Sequence, residues 1–353
     1  MSSKTPGPEA TLSYKCRACG WEGGMKKNTR LHASRMRRGW FLPTQTASID
    51  SRTLKNLAKP NLSISAGFAI LLLLSIAGFS AIGYQTFLRT SLVIWLPINL
   101  LVFVAIGALL RGQEGLVHAA SHGHWHKTAW VNDAAGNALA ALPVFSLVQR
   151  YRIGHSLHHG RFGSIEDPEF ARYERLDLGG VDRSSLSAFA KSACRRLPRY
   201  FWDWWSQIQT TPSVTCLALL WHAGVVLALT VLGGSTLAIL WLVYFVGPML
   251  TTLTVIRFVD EAAEHQYQGV NTEFDATNNN IGPVHRWLLH PLNDGWHLVH
   301  HLIASVPFWN LKRAHDWLVQ VDGDRYGANF PYRVRVLQEP GHGADRTHKK
   351  DAP

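Results

Sequence analysis

The chain has 353 residues, a formal net charge of +11 and 47% hydrophobic residues. This length allows one large domain or two ordinary ones. The positive charge would suit nucleic acid or an anionic membrane surface, but long apolar segments alternate with the basic ones. This alternation favours a membrane protein and argues against nucleic-acid binding. The four cysteines form no disulfide framework, so we expect a reducing compartment.

Residues 1–60 are polar and strongly basic, and we predict that they form a disordered tail. No apolar core of a signal peptide follows the first residues. Cys16 and Cys19 could form half of a zinc site with His32, but no second histidine follows at the required spacing. We therefore favour the disordered tail over a zinc site.

Four apolar segments follow, at residues 64–83, 91–110, 214–232 and 236–256. Each approaches the roughly 20 residues that a helix needs to cross a bilayer. A short connection joins the first two segments, and the turn Gly233-Gly234-Ser235 joins the last two. We therefore predict an all-α integral membrane protein with four transmembrane helices in two hairpins. Its membrane domain covers residues 61–322, and residues 323–353 form a polar C-terminal tail.

Two hairpins return the chain to its starting side each time. Both hairpin turns carry almost no Lys or Arg, whereas the opposite side carries nearly all of them. By the positive-inside rule, that basic side is cytoplasmic. We expect both termini and a histidine-rich helical cap there, with residues 134–147 as a re-entrant or interfacial helix. Residues 182–210, which mix arginine with tryptophan, suit a helix at the membrane interface.

Three histidine motifs lie outside the apolar segments. Two read His-x-x-His-His and one reads His-x-x-x-His, and on a helix such spacings bring the rings to one face. Their members are His118, His122, His155, His158, His159, His297, His300 and His301. Burying so many imidazoles without partners would be costly, so we predict a metal site. His265, directly after the fourth apolar segment, is a ninth candidate.

Eight or nine histidines are too many for one zinc ion and about right for two metal ions. Nearby acidic side chains could orient the imidazoles by hydrogen bonding to them. The candidates for this role are Glu114, Glu166, Asp167, Glu261 and Asp294. The isolated histidines, among them His124, His222, His290 and His315, are interpreted as packing residues.

Over roughly residues 60–320 these motifs resemble the membrane fatty acid desaturases with three histidine boxes. The first box is His118-x-x-x-His122. The second is Arg152-Ile-Gly-His155-Ser-Leu-His158-His159, followed by Asp167-Pro168. The third begins at Asn293, contains His297, His300 and His301, and continues into Ser305-Val-Pro-Phe-Trp-Asn-Leu. The chain departs from the common pattern at Ala119, where an acidic residue often stands.

The resemblance implies a di-iron centre held by all nine histidines. It also implies supporting roles for Arg152, Asp167, Glu261 and Asn293. The implied reaction is the oxygen-dependent desaturation of an acyl chain in a lipid. Electrons would come from a separate ferredoxin, rubredoxin or cytochrome, because the chain carries no fused haem domain.

Two other functions remain open at the level of sequence. The same centre could serve a hydroxylase or ketolase that acts on a carotenoid or sphingolipid, and the mass of the product would distinguish that outcome. A membrane metal transporter or sensor would place ionisable groups inside its spans. The apolar segments here are nearly free of such groups, which argues against transport.

Overall fold

The computed structural model describes residues 12–15, 22–25, 51–209, 211–270 and 272–343, and these are mainly helical. Strands β1 (Leu12–Lys15) and β2 (Glu22–Met25) pair antiparallel. Cys16, Cys19 and His32 lie outside the described residues. The predicted disordered tail, residues 1–60, contains β1, β2 and α1 (Ser51–Leu57), and for its other residues up to residue 50 the interpretation stays a prediction.

The first two apolar segments form a helical hairpin. After α1 (Ser51–Leu57), the side chain of Asn61 caps α2 (Leu62–Arg89), and α3 (Leu92–Ser121) follows. Near the turn, the indole of Trp95 donates to the carbonyl of Gly83 at 3.2 Å. At the other end, the amide of Gln113 donates to the carbonyl of Ala69 at 3.2 Å. These two contacts, at opposite ends of the pair, show that α2 and α3 run antiparallel.

The third and fourth apolar segments also fold back on each other. Helix α8 (Pro212–Trp241) is interrupted at Gly233 and at Gly234, which has φ 74° and ψ −175°. The rings of Trp221 and Trp241 lie 5.9 Å apart, and the indole of Trp241 donates to Nδ1 of His222 at 3.2 Å. An unbroken helix would separate residues 20 positions apart by about 30 Å. The chain therefore reverses at the predicted glycine turn, and His222 is a buried packing residue as predicted.

In the described part of the chain, three segments are long and apolar enough to cross a membrane: Leu62–Arg89, Leu92–Ser121 and Pro212–Glu264. A fourth is counted if Ala129–Val144 and Val148–Arg161, bent by 87° against each other, form one broken span. Large apolar side chains cover the outside of these segments, and Val93 and Leu232 are 82% and 80% exposed. Such apolar surface is what a lipid-facing helix presents.

The remaining elements include residues 242–256, which belong to the fourth apolar segment, and a group of helices and turns around the histidine motifs. The helices are α4 (Ala129–Gly136), α5 (Val148–Arg161), α6 (Pro168–Leu176), α7 (Leu186–Gln209), α9 (Gly247–Leu250), α10 (Thr252–Glu264), α11 (Glu273–Ala276), α12 (His297–Leu302) and α13 (Leu311–Val321). Short π-helical or 3-10 turns cover Asn137–Ala141, Leu142–Val144, Leu178–Gly180, Leu242–Val246, His285–Leu289, Pro291–Asn293, Phe308–Asn310 and Gly323–Gly327. A small sheet consists of β3 (Asn279–Asn280), β4 (Pro331–Arg333) and β5 (Gly341–His342), with β3 parallel and β5 antiparallel to β4.

The packed structure extends beyond the predicted domain limits of 61 and 322. Tyr326 is fully buried and its hydroxyl lies 2.7 Å from Nδ1 of His315. Arg333 is buried and donates to the carbonyl of Ala263 at the end of α10. Before residue 61, the carbonyl of Leu57 accepts from Asn310 at 2.8 Å. These residues are buried on folding even though the segments around them are polar on average, so the composition of the segments does not predict their packing.

One large hydrophobic core joins the first hairpin to the helices near the third histidine motif. It includes Leu72 of α2, Leu116 of α3, Leu298 of α12 and Leu311 of α13. Trp125, which is also fully buried, donates its indole N–H to the carbonyl of Leu116 at 3.1 Å. This packing fixes the end of α3 against α12 and so places two of the histidine motifs side by side.

Candidate metal centre

The nine predicted histidines come together in two adjacent clusters. The first cluster is His118, His122, His155, His159 and His300, whose nearest ring nitrogens all lie within 4.8 Å of one another. The second cluster is His158, His265 and His301 at the same spacing, together with His297. The rings of His159 and His301 lie 4.5 Å apart across the boundary between the clusters.

Helix geometry explains how two similar motifs serve two clusters. On α5, His155 and His159 are four residues apart and contribute to the first cluster, whereas His158, at the edge of the same face, contributes to the second. On α12, His297 and His301 make the corresponding pair, and His300 is the single residue. Each helix therefore gives a pair to one cluster and a single histidine to the other. The end of α3 completes the first cluster, and His265, directly after α10, completes the second.

In the first cluster, ring nitrogens face each other at the spacing of ligands on one ion. Nε2 of His300 lies 2.9 Å from Nε2 of His118 and 3.0 Å from Nε2 of His159. Two nitrogens that each lie about 2.1 Å from one ion are about 3 Å apart when they are adjacent ligands. Nε2 of His122 is buried and finds no hydrogen-bond partner in the described structure.

In the second cluster, ring nitrogens also lie close to the spacing of ligands on one ion. Nε2 of His297 lies 3.1 Å from Nε2 of His265, and Nε2 of His158 lies 3.3 Å from Nε2 of His301. In this cluster Nδ1 of His297 is buried with no hydrogen-bond partner among the described residues. The rings of His265 and His301 lie 4.9 Å apart. These four imidazoles would surround a second ion.

Four carboxylates hold the outer nitrogens of four of these rings. Nδ1 of His118 lies 3.3 Å from Asp294, and Nδ1 of His155 lies 3.3 Å from Glu169. The other two contacts join Nδ1 of His158 to Asp167 at 3.0 Å and Nδ1 of His301 to Glu273 at 2.9 Å. A carboxylate in this position keeps the proton on Nδ1, so that the Nε2 lone pair is free for a metal. Both His158 and His301 are held in this way, and their Nε2 atoms lie 3.3 Å apart. Two such lone pairs repel each other unless a cation lies between them, so the donor set fits bound metal.

The supporting residues predicted from the sequence lie in different places. Asp167 contacts His158 and also caps α6, accepting from the backbone of Glu169. Arg152 donates to Asp133 and to the carbonyls of Ala120 and Ser121 at the end of α3. It thus holds the helix that carries the first motif, and its described hydrogen bonds go to Asp133 and to backbone carbonyls.

The other two predicted supports are further from the rings. Glu261 forms an ion pair with Arg172 at 2.5 Å. The backbone carbonyl of Asn293 accepts from Trp296 at 3.1 Å, in a turn where Asn293 has φ 60°. This turn leads into α12 and places Asp294 beside His118.

Glu169 and Glu273 were not found by the sequence analysis. Glu169 stands two residues after Asp167, and that proximity was a usable signal. Glu273 had no such signal, because it lies 28 residues before His301 in a segment with no motif. Of the other carboxylates considered, Glu166 pairs with Arg161 and Glu114 pairs with Arg257.

Burial favours the neutral form of three of these imidazoles. Burial, and then the neighbouring histidines, lower the pKa of His265, His300 and His301 well below the usual value. Burial raises the pKa of the Asp294 carboxyl, but His118 and Arg111 outweigh it and hold that pKa below its usual range. Neutral imidazoles and ionised carboxylates are the states that metal binding requires.

One further group of possible ligands lies next to the clusters. Asp260, Glu264 and His290 come within 4.8 Å of one another, and all three are buried. Nδ1 of His290 lies 2.6 Å from Asp260. Arg111 forms ion pairs with both carboxylates. Its guanidinium supplies one positive charge beside both acids and also pairs with Asp294 and Glu114.

A cavity of about 340 Å³ opens beside the two clusters. His118 and His155 of the first cluster and His297 of the second line it. A molecule in this cavity would therefore lie against both clusters.

The sequence was also compared with known proteins. The sequence model of the family described as "Fatty acid desaturase" matches residues 93–333, a range that contains all nine histidines. This chain belongs to the fatty acid desaturase family. Membership makes it an oxidoreductase of the desaturase type, as predicted.

Two curated relatives of this desaturase are also named for unsaturation. It is 29% identical over 240 residues to the dihydrorhizobitoxine desaturase of Bradyrhizobium elkanii, covering 63% of this chain and 68% of that protein. It is 23% identical over 265 residues to the delta(12) acyl-lipid conjugase (11E,13E-forming) of Momordica charantia. That match covers 62% of this chain and 63% of the conjugase, which is less than two thirds of its length.

Proposed function

We propose that this desaturase binds two iron ions, one in each cluster, and uses dioxygen to introduce a C=C bond into an acyl chain of a lipid. The observation that carries the proposal is the division of nine imidazoles into a set of five and a set of four. A single structural zinc would need only four ligands. Two ions can use all nine.

Iron supplies chemistry that zinc lacks, because iron bound at these histidines can take part in the oxidation of unactivated C–H bonds by dioxygen. The electron balance of the reaction shows that a further source of electrons is needed. Removing two hydrogen atoms from a CH2–CH2 unit gives two electrons, and the reduction of O₂ to two waters consumes four. A separate donor, such as a ferredoxin, rubredoxin or cytochrome, would supply the other two electrons.

The residues of the chain position the reaction and shield it from water. Asp167, Glu169, Glu273 and Asp294 fix the orientation of the histidine rings from outside. Phe162 is buried and its ring lies 5.1 Å from His265 and 5.3 Å from His301. This aromatic ring covers part of the second cluster.

We further propose that the apolar segments form four transmembrane spans with the metal centre and both termini on the cytoplasmic side. The charge bias of the sequence and the reversal at Gly233-Gly234 support this arrangement. The acyl substrate would then enter from the membrane and the electron donor from the cytoplasm. A hydroxylase would use the same ligands, but the two relatives are named as a desaturase and a conjugase, which favours desaturation.

Mass spectrometry of the lipids from cells that express the chain tests this proposal. We expect products two hydrogens lighter than their precursors, and none from His300→Ala, which removes a ring in contact with His118 and His159. The control is His342→Ala, an exposed histidine of β5. A product that has gained oxygen, or full activity of His300→Ala, would contradict the proposal.

A further inference from the structure

The cavity beside the clusters has two kinds of lining residue. Val144, Phe145, Leu147 and Val214 are apolar. The charged lining residues, here called the charged wall, include arginines and carboxylates that form ion pairs with each other. The cavity is therefore not a uniform hydrocarbon tunnel.

Two ion pairs belong to the charged wall. Arg257 pairs with Glu114 at 2.5 Å, and Arg172 pairs with Glu261 at 2.5 Å. All four side chains are largely covered but keep 11% to 19% of their surface exposed. The exposed remainder of these charges faces a space that a bound molecule would fill.

The positions of these pairs along α3 and α10 show how far they lie from the histidines. Glu114 lies four residues before His118 on α3, and Glu261 and Arg257 lie four and eight residues before His265 on α10. At 1.5 Å per residue, these offsets are about 6 and 12 Å. Both helices continue from there into their apolar segments. The charged wall thus lies between the histidine clusters and the apolar ends of the helices.

A long hydrocarbon chain that ran from the clusters along α3 and α10 would press methylenes against these ion pairs. Removing water from charged groups without replacing its hydrogen bonds is costly. A polar group of the ligand at this place would replace those hydrogen bonds. The charged wall offers both signs of charge. It consists of the guanidinium groups of Arg111, Arg150, Arg172 and Arg257 and the carboxylates of Glu114, Glu169, Glu261, Glu264 and Asp294. With five carboxylates beside four guanidinium groups, it does not favour a polyanionic group such as a phosphate or a nucleotide.

We propose that the substrate carries a net-neutral polar group within about two helical turns of the carbons that react, so that the double bond forms near the polar end of the molecule and not in the middle of a long chain. This inference rests on the proposed function, since it concerns the substrate of the same centre. A polar group of this kind could be the amide and hydroxyl head of a lipid or the zwitterion of an amino-acid-like molecule.

Three probes offered to the full-length, iron-loaded protein in lipid nanodiscs, with O₂ and a ferredoxin reducing system, test the inference. They are a distearoyl phospholipid, a saturated N-acyl amino diol and a free amino acid with an unbranched alkyl side chain. We expect loss of two hydrogens next to the polar group of the second or third probe, and which of the two reacts identifies the source of the polar group. Reaction of the third probe alone would support the inference and overturn the lipid substrate of the proposed function. A double bond in the middle of a stearoyl chain would overturn the inference and leave the proposed function intact. The absence of any two-hydrogen loss from a protein that holds two irons would overturn both.

A pair of substitutions gives a second readout. The double variant Glu114→Gln with Arg257→Met removes one ion pair without leaving a buried charge alone. We expect its KM for the reactive polar probe to rise roughly tenfold, since charge-assisted hydrogen bonds are lost, while its iron content stays the same. The control is Lys312→Met, in an exposed pair with Asp316 on α13.

Binding to the metal-free protein completes the test. The reactive polar probe should raise the thermal stability of the apo protein, and the double variant should lose that stabilisation. Equal stabilisation of both proteins by the distearoyl phospholipid alone would contradict the inference.

Discussion

Single residues decide how the two histidine clusters are divided. The spacing of each motif predicted the ring nitrogens that converge, because i, i+3 and i+4 positions lie on one side of a helix. It did not predict that His158 would lie in a different cluster from His155 and His159. Nor did it predict that His300 would lie in a different cluster from His297 and His301. That outcome depends on how α5 and α12 face each other. It therefore depends on tertiary packing, which the spacing does not contain.

Substituting one of the carboxylates that orient the rings tests this account at the scale of single residues. Glu273→Gln keeps the size of the side chain but weakens its hold on Nδ1 of His301, 2.9 Å away. We expect iron affinity at the second cluster to fall roughly 10- to 100-fold, with the fold intact. Iron content after graded chelation measures this change. Glu166→Gln, in an exposed pair with Arg161, is the control and should bind iron as the wild type does.

At the scale of elements, the sequence predicted most of the long helices and one turn, because long apolar runs and a glycine pair are strong local signals. It missed the packed C-terminal elements and the small sheet. Their burial depends on a few residues, such as Tyr326 and Arg333, that reach distant parts of the fold. Composition averaged over residues 323–343 does not show such contacts.

The glycine turn between the last two apolar segments can be tested directly. Gly234 has φ 74° and ψ −175°, a conformation that essentially only glycine adopts. Gly234→Ala should lower the free energy of unfolding by about 1–3 kcal/mol. Thermal unfolding in detergent measures the change. Gly67→Ala, at an open position inside α2, should be neutral or slightly stabilising, and a similar loss in both variants would contradict this account.

His315 links α13 to the C-terminal elements, and its titration should affect stability. Burial lowers the pKa of His315 to about 4, whereas an unfolded histidine has a pKa of about 6.5. As the pH falls between these values, the unfolded chain takes up a proton that the folded chain does not. Stability is therefore fully present above about pH 6.5 and is lost towards about pH 4.

His315→Gln removes this titration and retains a hydrogen-bonding side chain for Tyr326. We expect its melting temperature to fall less than that of the wild type between about pH 7 and about pH 5. His342→Gln, at an exposed position, should follow the wild type. An equal pH dependence in wild type and His315→Gln would show that His315 makes no such contribution.

At the scale of the whole molecule, the apolar helices and the basic charge predicted a membrane protein, and family membership agrees with that interpretation. The number of spans depends on whether the bent pair Ala129–Val144 and Val148–Arg161 enters the bilayer. Its 87° bend lies at residues 145–147, a short break that local sequence patterns describe poorly. The proposed sidedness is argued from the charge bias and from the reversal at Gly233-Gly234.

Labelling with a membrane-impermeant thiol reagent tests the proposed sidedness. Cys194 is exposed on α7, which we place on the cytoplasmic side, and Ser235 lies at the opposite hairpin turn. In intact cells we expect a Ser235→Cys variant without other cysteines to be labelled. A variant that keeps only Cys194 should react only after permeabilisation. The reverse pattern would contradict the proposed orientation.

The iron content of the purified chain tests the central claim most directly. After reconstitution with ferrous iron we predict two irons per chain for the wild type. His301→Ala and His300→Ala should each bind less, because each removes a ring from a different cluster. One iron or none per folded wild-type chain, or zinc bound in preference to iron, would contradict the account.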